Sequence, residues 1–411
     1  MAWHDRLAAR PQPIRVAIVG AGRVGRGLAH QVRITPGLRL VVLADMLRDR
    51  AQECAESLNM PYRLVDTPEA QALAIRCGQV AVSEDGEMAA GSGLADVLIE
   101  TTGAAFAGAR HGASALDSGA HVAMVNLAAD LAFGPWLLER ARRAGRVYTC
   151  ACANRAATAM DLAHDLDLRG VPVLAAGFSV AHLEPFTAPQ DGLSAVEVAE
   201  ADGTAVAAEL AVLANAIGGT VGLPEWPATP PQDEAALAAQ LSSAHSGRLL
   251  VGRIGGTGGH AFALPGAEAG GATPITRPCH TGPQDALDCV AAAALDGIAR
   301  LAPWAGHQAT VIAHAKRDLQ AGERIDGPGG WATYGVAEPA SRNVPYALDE
   351  GLPMMLSDGL TLRRPLARGT RLRLADCLYS EKDPRFALWR KAQQEARKCM
   401  GGRIPPVVAA E

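Results

Sequence analysis

The sequence predicts an α/β chain in three parts: a parallel-sheet domain over 1-153, an α+β domain over 154-308 with an alanine-rich helix (about 285-301) returning to the first domain, and a small β-rich module over 309-379. A terminal helix and tail follow over 380-411. Three observations predict this. Short, fully apolar runs alternate with helical patterns in the N-terminal third, as expected for parallel strands buried on both faces. A glycine-rich turn joins the first such run to the first helix. After Val311 the chain breaks into short segments punctuated by Gly and Pro, as in a compact β module.

The bulk properties bound the function. The 411 residues suffice for two or three hydrophobic cores. A composition of 49% hydrophobic and 20% charged residues is that of a soluble globular protein, and a net charge of -5 gives no electrostatic reason to expect nucleic acid or an anionic membrane as partner. The start, "MAWHDRLAARPQPIRV", carries charges and no apolar h-region, and no apolar run is long enough to span a membrane. The eight cysteines are scattered and form no CxxC pair, which fits reduced thiols in a cytoplasmic protein.

Taken in order, "RVAIVG" (Arg15 to Gly20) reads as a buried strand. "GAGRVG" then places Gly20, Gly22 and Gly25 at G-x-G-x-x-G spacing, with Arg23 and Val24 between the last two glycines. A helical pattern follows, and a second apolar strand, "LRLVVLAD", ends at Asp45. Strand, glycine turn, helix and an acid after the next strand form the fingerprint of a Rossmann-type dinucleotide-binding domain. The first glycine allows the tight turn, the second lets a pyrophosphate approach the backbone, and the third lets the helix pack on the strand. The helix N-terminus offers N–H groups to phosphate. A carboxylate at Asp45 suits a ribose diol and favours NAD, while Arg48 and Arg50 close by keep NADP open.

"LADVLIETTG" (94–103) reads as a further parallel strand ending at Thr101, Thr102 and Gly103, and "GAHVAMVN" (119–126) as another ending at Asn126. Ligands of such sheets bind beyond the carboxyl ends of the strands. Thr102, Gly103 and Asn126 are therefore candidates to face a nicotinamide, with helix capping or turn formation as the alternative role.

The strands in this order, with "VAIVGAGRVGRG", "ADVLIETTG", "SGAHVAMVN", "DGTAVAAELAVLANAIG", "TRPCH" and "IAHAKRDLQAGERIDGPGGWATYG", resemble homoserine dehydrogenase and its relatives. The resemblance is to homoserine-dehydrogenase-like proteins with a C-terminal SAF domain, a group that includes the deoxyxylulose-phosphate reductoisomerase-like enzymes, and it covers nearly the whole chain. It implies a dinucleotide-binding domain, a substrate and dimerisation domain and a β-clip-like SAF domain, in a homo-oligomer (dimer or tetramer). It also implies NAD(P)-linked oxidoreduction of a hydroxyl or keto group on a small polar molecule.

The middle domain departs from the family pattern. "NLAAD" has Ala128 in place of a carboxylate, "ANRAAT" replaces an acidic interdomain loop, and "DGTA" ends in Ala205 where the family has lysine. The chain's lysines, Lys316, Lys382, Lys391 and Lys398, all lie in the third module or the tail. The resemblance also implies a lysine-rich "GKGK"-like turn after a strand, whose lysine stabilises the reacting oxygen; here "VPVLAAGFSVAHLEP" puts Phe178 to His182 in that place, without a lysine. His182 with Glu184 is one candidate replacement as proton donor and orienting acid, and His280 with Asp285 is another. Arg277 could hold a carboxylate or phosphate in bidentate fashion. Arg155, standing where relatives have an acid, would favour an anionic group if it points inward. Glu209 is retained from the family pattern and could touch substrate. Each has a plain alternative: a surface loop for His182 and Glu184, a first-turn acid for Asp285, and solvated helix positions for Glu209 and Asn215. The last two are six residues apart, on different helix faces.

Cys150 and Cys152 would share one face of a strand. Two thiols without a third ligand make a poor zinc site, so packing is their expected role and no metal is expected. In the third module "KRDLQAGERI" and "RPLARGTRLRLADC" read as two versions of one unit, suggesting pseudo-symmetric halves; Lys316, Arg317, Arg363 and Arg364 could bind an acid, with exposed solubilising charge as the safer expectation.

These readings converge on an NAD(P)-dependent oxidoreductase with an altered substrate pocket, acting on a sugar acid, polyol or phosphate ester. The competing expectations are a dinucleotide-binding sensor or partner protein without redox activity, and an oxidoisomerase or epimerase that retains its cofactor.

Overall fold

A computed structural model describes the chain except for residues 1, 182, 187, 190–191, 222–230, 242–248, 257, 267–272, 280–284 and 400–411. The chain forms two compact units. Among the described residues one comprises 2–152 and 285–302, the other 153–279 and 303–399.

The first unit is a doubly wound α/β sandwich. Its elements are α1 (Trp3–Ala8), β1 (Ile14–Val19), α2 (Arg23–Ile34), β2 (Leu38–Ala44), α3 (Arg48–Ser57), β3 (Tyr62–Leu64), α4 (Pro68–Arg76) and β4 (Val80–Ser83). They continue with α5 (Gly86–Ala90), β5 (Val97–Glu100), α6 (Ala105–Asp117), β6 (His121–Met124), α7 (Leu127–Ala144) and β7 (Tyr148–Cys150). The seven strands pair in parallel in the order β3-β4-β2-β1-β5-β6-β7. Burial explains their composition: Val16, Ile18, Leu43, Val82 and Ile99 are fully enclosed, because helices cover both faces. The helix Asp285–Ala291 returns to this core through Ala286, Cys289 and Val290. The alanine-rich run predicted helix as far as Leu301. Instead it widens into a π-helical turn over Ala292–Asp296 and stops at Gly297, whose φ of +67° places it in the left-handed region that ends helices.

The second unit begins with α8 (Asn154–Asp167), β8 (Val173–Ser179), α9 (Ala195–Ala201), α10 (Thr204–Ile217), α11 (Glu234–Leu241), β9 (Leu250–Ile254), β10 (His260–Pro265) and β11 (Ile275–Pro278). A mixed sheet runs β11-β10-β8-β9, with β8 and β9 parallel and β10 antiparallel to both its neighbours. Helix α10 is buried all round, which its small side chains permit. Glu209 and Asn215 are accordingly not solvated: both are buried, and the Asn215 Oδ1 accepts from the Gln308 and Ala309 N–H groups at 2.7 and 2.9 Å.

The C-terminal strands of this unit, β12 (Ala309–Ala315) and β13 (Thr333–Pro339), form an antiparallel pair, as do β14 (Thr361–Leu362) and β15 (Cys377–Leu378). Equivalent points of the two similar segments meet. Leu319 and Leu366 exchange both backbone hydrogen bonds, at 2.8 and 3.0 Å, and Gly322 and Gly369 each make a left-handed turn three residues later, at φ +82° and +79°. One charge in these segments corrects the expectation of solubilising surface. Lys316 is fully buried, its Nζ 2.7 Å from Asp202 and donating to the Gly330 carbonyl at 2.8 Å. A lone buried ammonium is too costly to persist without such partners.

Candidate functional site

In the first unit the polar groups gather where β1, β2, β5 and β6 end. Gly20 turns at φ +103°, and a Cβ there would lie 2.5 Å from the Thr101 Oγ1. A Cβ on Gly25 would lie 1.8 Å from the Gly20 carbonyl oxygen, so only glycine lets α2 approach the turn. Gly22 is the opposite case: it is exposed, and a Cβ would meet nothing within 4 Å. Its backbone therefore lies open. Helix α2 begins at Arg23, Val24 and Gly25 with no side chain capping its first turn, leaving the positive end of the helix dipole as an anion-binding feature.

Asp45 is buried beside this turn. Its Oδ2 accepts from the Ala21 N–H at 2.7 Å and its Oδ1 from the Leu47 N–H at 2.9 Å. Each oxygen keeps acceptor capacity for a diol. The neighbouring cations are engaged by acids: Arg48 with Glu84 at 2.9 Å and Arg26 with Glu53 at 2.8 Å, while Arg50 is exposed. The Thr101 hydroxyl lies 2.7 Å from the Gly20 carbonyl oxygen and 3.0 Å from that of Val19, which ties the end of β5 to the turn.

Thr102 is half-buried and Gly103 exposed. Asn126 caps α7, accepting from the Ala129 N–H at 3.0 Å, and its amide donates to the Thr102 Oγ1 at 3.2 Å and the Ala104 carbonyl at 3.1 Å. Behind Thr102 stands Glu100, fully buried at the end of β5, with His111 of α6 3.2 Å from its Oε1. Glu100 and His111 are not among the candidates the sequence offers, and Thr101 stands there only as part of the loop that ends the strand. The available signal was a carboxylate closing an otherwise apolar strand, "VLIE".

Further along the same edge, Cys150 and Cys152 lie with their sulfurs 3.9 Å apart. The Cys152 contact and burial hold the Cys150 thiol well above its ordinary pKa, and burial pushes Cys289 up to about 12. Such thiols are poor nucleophiles. Asp130, buried beneath and bonded to the Tyr148 hydroxyl at 2.7 Å, has its pKa pushed up to about 6 by burial, with Tyr148 opposing the shift.

In the second unit Arg155 points inward, and its charge is already matched. It donates to the Glu209 Oε1 from Nε at 2.9 Å and from Nη2 at 2.5 Å, and to Glu200 at 3.1 Å, and its guanidinium stacks 5.1 Å from the centre of the Phe178 ring. Burial works against the cation, but Glu209 and Glu200 outweigh it and raise the Arg155 pKa. With two carboxylates on one guanidinium, the cluster offers no net positive charge to an anion. Arg277 is likewise engaged, by Asp165 at 3.2 Å and Asp161 at 3.8 Å. Glu184 is exposed, and its backbone N–H binds the Ala201 carbonyl at 3.0 Å. Asp285, in the first unit, heads its helix in the first turn. His182 and His280 lie outside the described residues. Among the described residues no group of three metal-ligating side chains is arranged to hold a metal ion, and no helix is long and apolar enough to cross a membrane.

No protein-family model matches the sequence, and no curated protein matches it. Solved structures do resemble it. An oxidoreductase from Thermotoga maritima is similar at 16% identity, over 65% of this chain and 72% of that one, with a TM-score of 0.36. The 1-deoxy-D-xylulose 5-phosphate reductoisomerase of Zymomonas mobilis in complex with NADPH is similar at 12% identity, over 65% and 67%, with a TM-score of 0.41. A DOX-P reductoisomerase in complex with magnesium is similar at 12% identity, over 94% and 80%, with a TM-score of 0.44.

Proposed function

We propose that this chain is an NAD(P)-dependent oxidoreductase acting on a hydroxyl or keto group of a small polar molecule, with NAD as its preferred cofactor. The observation that carries the reading is the pairing of the Gly20–Gly25 turn with Asp45. Two glycines sit where a Cβ would collide, one sits where the backbone is open, and a carboxylate is anchored beside them. In this reading the turn and the start of α2 hold the pyrophosphate and Asp45 takes the adenosine ribose. The bound nicotinamide would supply the hydride; the protein supplies position and electrostatics. The preference for NAD rests on the Asp45 carboxylate and on the pairing of Arg48 and Arg26 with Glu84 and Glu53, while the exposed Arg50 keeps NADP as the alternative cofactor.

Among the substrate classes a neutral polyol or sugar is favoured over a phosphate ester or sugar acid, because Arg155 and Arg277 both face acids. The paired leucines and glycine turns of the C-terminal module support its reading as a SAF-type, β-clip-like domain. A homo-oligomer and a cytoplasmic setting complete the proposal. The test is a change in absorbance at 340 nm with NAD or NADH across a panel of polyols, sugar acids and phosphate esters. Turnover confined to the neutral members supports the reading, and turnover confined to phosphate esters overturns the substrate class. Lys316 is buried against Asp202 and so unavailable for proton transfer, which favours a second reading: a dinucleotide-binding protein without turnover. Tight NADH binding with a silent panel is its signature.

A further inference from the structure

The Glu100 side chain is placed as no simple packing role requires. It is fully buried, and three groups converge on its Oε1: the Thr102 hydroxyl at 2.5 Å and the Thr102 N–H at 3.2 Å, which both donate, and the His111 Nδ1 at 3.2 Å. Its Oε2 is buried and accepts no hydrogen bond among the described residues. Two glycines make room for this arrangement. A Cβ on Gly108 would lie 3.0 Å from the Glu100 Oε2 and 2.6 Å from the Asn126 Nδ2, and one on Gly86 would lie 2.5 Å from the His111 Nε2. An uncompensated buried acceptor is unfavourable, and its retention calls for an explanation.

The hydrogen-bond directions supply one. A carboxylate only accepts, so the Thr102 hydroxyl hydrogen must point at Glu100. Asn126 is oriented by its cap: its oxygen takes the Ala129 N–H, so its amide nitrogen faces Thr102 and donates to it. Thr102 thereby gives its hydrogen inward, receives one bond from Asn126 and keeps one lone pair. On its outer side it is an acceptor only. Asn126, in turn, spends both amide hydrogens on Thr102 and the Ala104 carbonyl.

Sheet order decides what that acceptor meets. Asp45 follows β2, the glycine turn follows β1, and β5 and β6 lie on the far side of β1 from β2. A dinucleotide with its adenosine ribose at Asp45 and its pyrophosphate at the turn would carry its nicotinamide across the ends of β5 and β6. We propose that Glu100 is a positioning residue that fixes the Thr102 hydroxyl as an acceptor for the N–H₂ of the nicotinamide carboxamide. The proposal rests on the dinucleotide reading above. It makes Thr102 the group that reads the carboxamide, with Glu100 and Asn126 setting its polarity.

The experiment compares dissociation constants for NAD⁺, for ADP-ribose, which lacks the nicotinamide, and for 3-acetylpyridine adenine dinucleotide, whose methyl ketone has no N–H. The wild-type protein should prefer NAD⁺ over the acetylpyridine analogue by about 3- to 10-fold, the factor for one neutral hydrogen bond. Glu100→Gln can donate to Thr102 and release its hydroxyl to point outward. It should abolish the preference while leaving ADP-ribose binding unchanged. Thr102→Val, which leaves the carboxylate in place, should also abolish it. Binding of ADP-ribose and NAD⁺ with no preference in the wild type overturns this proposal alone, as does a preference that survives in both variants. Equal weakening of all three ligands by Glu100→Gln marks a purely structural role and overturns it too. No binding of any of the three removes the dinucleotide reading and this proposal with it.

Discussion

Replacing Arg155 with methionine isolates what its ion pair contributes. The substitution keeps most of the apolar volume against Phe178 but leaves Glu209, 7% exposed, without its cation. Removing one partner of a buried pair costs about 3–5 kcal/mol, because the remaining charge is uncompensated. Glu200, whose side chain is 43% exposed, belongs to the weaker class: Glu200→Gln should cost about 0–1 kcal/mol. The double variant Arg155→Met, Glu209→Leu should recover most of the loss, since apolar replacements of a buried pair are close to neutral. Urea unfolding followed by far-ultraviolet circular dichroism is the assay. With a slope of about 2 kcal/mol per molar urea, Arg155→Met should lower the midpoint by about 1.5–2.5 M, and Glu200→Gln by less than about 0.5 M. Equal effects of the two single variants, or no recovery in the double variant, would refute the assignment of Arg155 as a buried structural cation matched to Glu209.

Asp130 should make stability pH-dependent. Its folded pKa of about 6 lies above the unfolded value of 3.8, so its contribution is fully present below pH 3.8 and is lost as pH rises through 6. Relative to Asp130→Asn, the wild type should lose about 3 kcal/mol between those limits, and parallel stability curves for the two proteins would exclude the shift. Lys316→Met leaves Asp202 buried and unpaired and should destabilise by about 3–5 kcal/mol in urea unfolding, with Lys316→Met, Asp202→Leu recovering most of it; a change below 1 kcal/mol for the single variant contradicts the pairing. Asp45→Ala with Glu84→Gln removes the diol acceptor and frees Arg48, and should move the NADH:NADPH affinity ratio toward NADPH by about tenfold. An unchanged ratio would show that Asp45 does not read the ribose.

The parallel sheet was legible in the sequence because its signals are local and redundant. Apolar strands of β1, β2, β5 and β6 each stop at a glycine or polar residue, and the period changes to helical at Arg23. The glycine turn was legible for the same reason, since a steric requirement leaves glycine and little else. The end of the helix from Asp285 was harder. Alanine-rich sequence satisfies α- and π-turns alike, and the left-handed Gly297 that stops it does not stand out in a glycine-rich chain. Charge partners were least legible. Nothing in "ANRAAT" shows that Arg155 meets Glu209 and Glu200, 54 and 45 residues away, or that Lys316 is buried on Asp202. Glu100 is an intermediate case. An acid closing a buried strand signals a specific role, but the role depends on groups from α6 and the loop beyond β5, which only the fold brings together.

Gly22 offers the most direct test of the dinucleotide site. A side chain added there meets no protein atom within 4 Å and finds an ordinary extended backbone, so Gly22→Val should fold as the wild type does, apart from about 1 kcal/mol at the helix cap. It would nevertheless stand where a pyrophosphate must approach the turn. Gly27→Ala, equally open, is the control. In a fluorescence titration with NADH, the wild type and Gly27→Ala should bind alike and Gly22→Val should lose at least tenfold in affinity. Equal NADH binding by all three proteins, or none by the wild type, would contradict the assignment of this turn as a dinucleotide site.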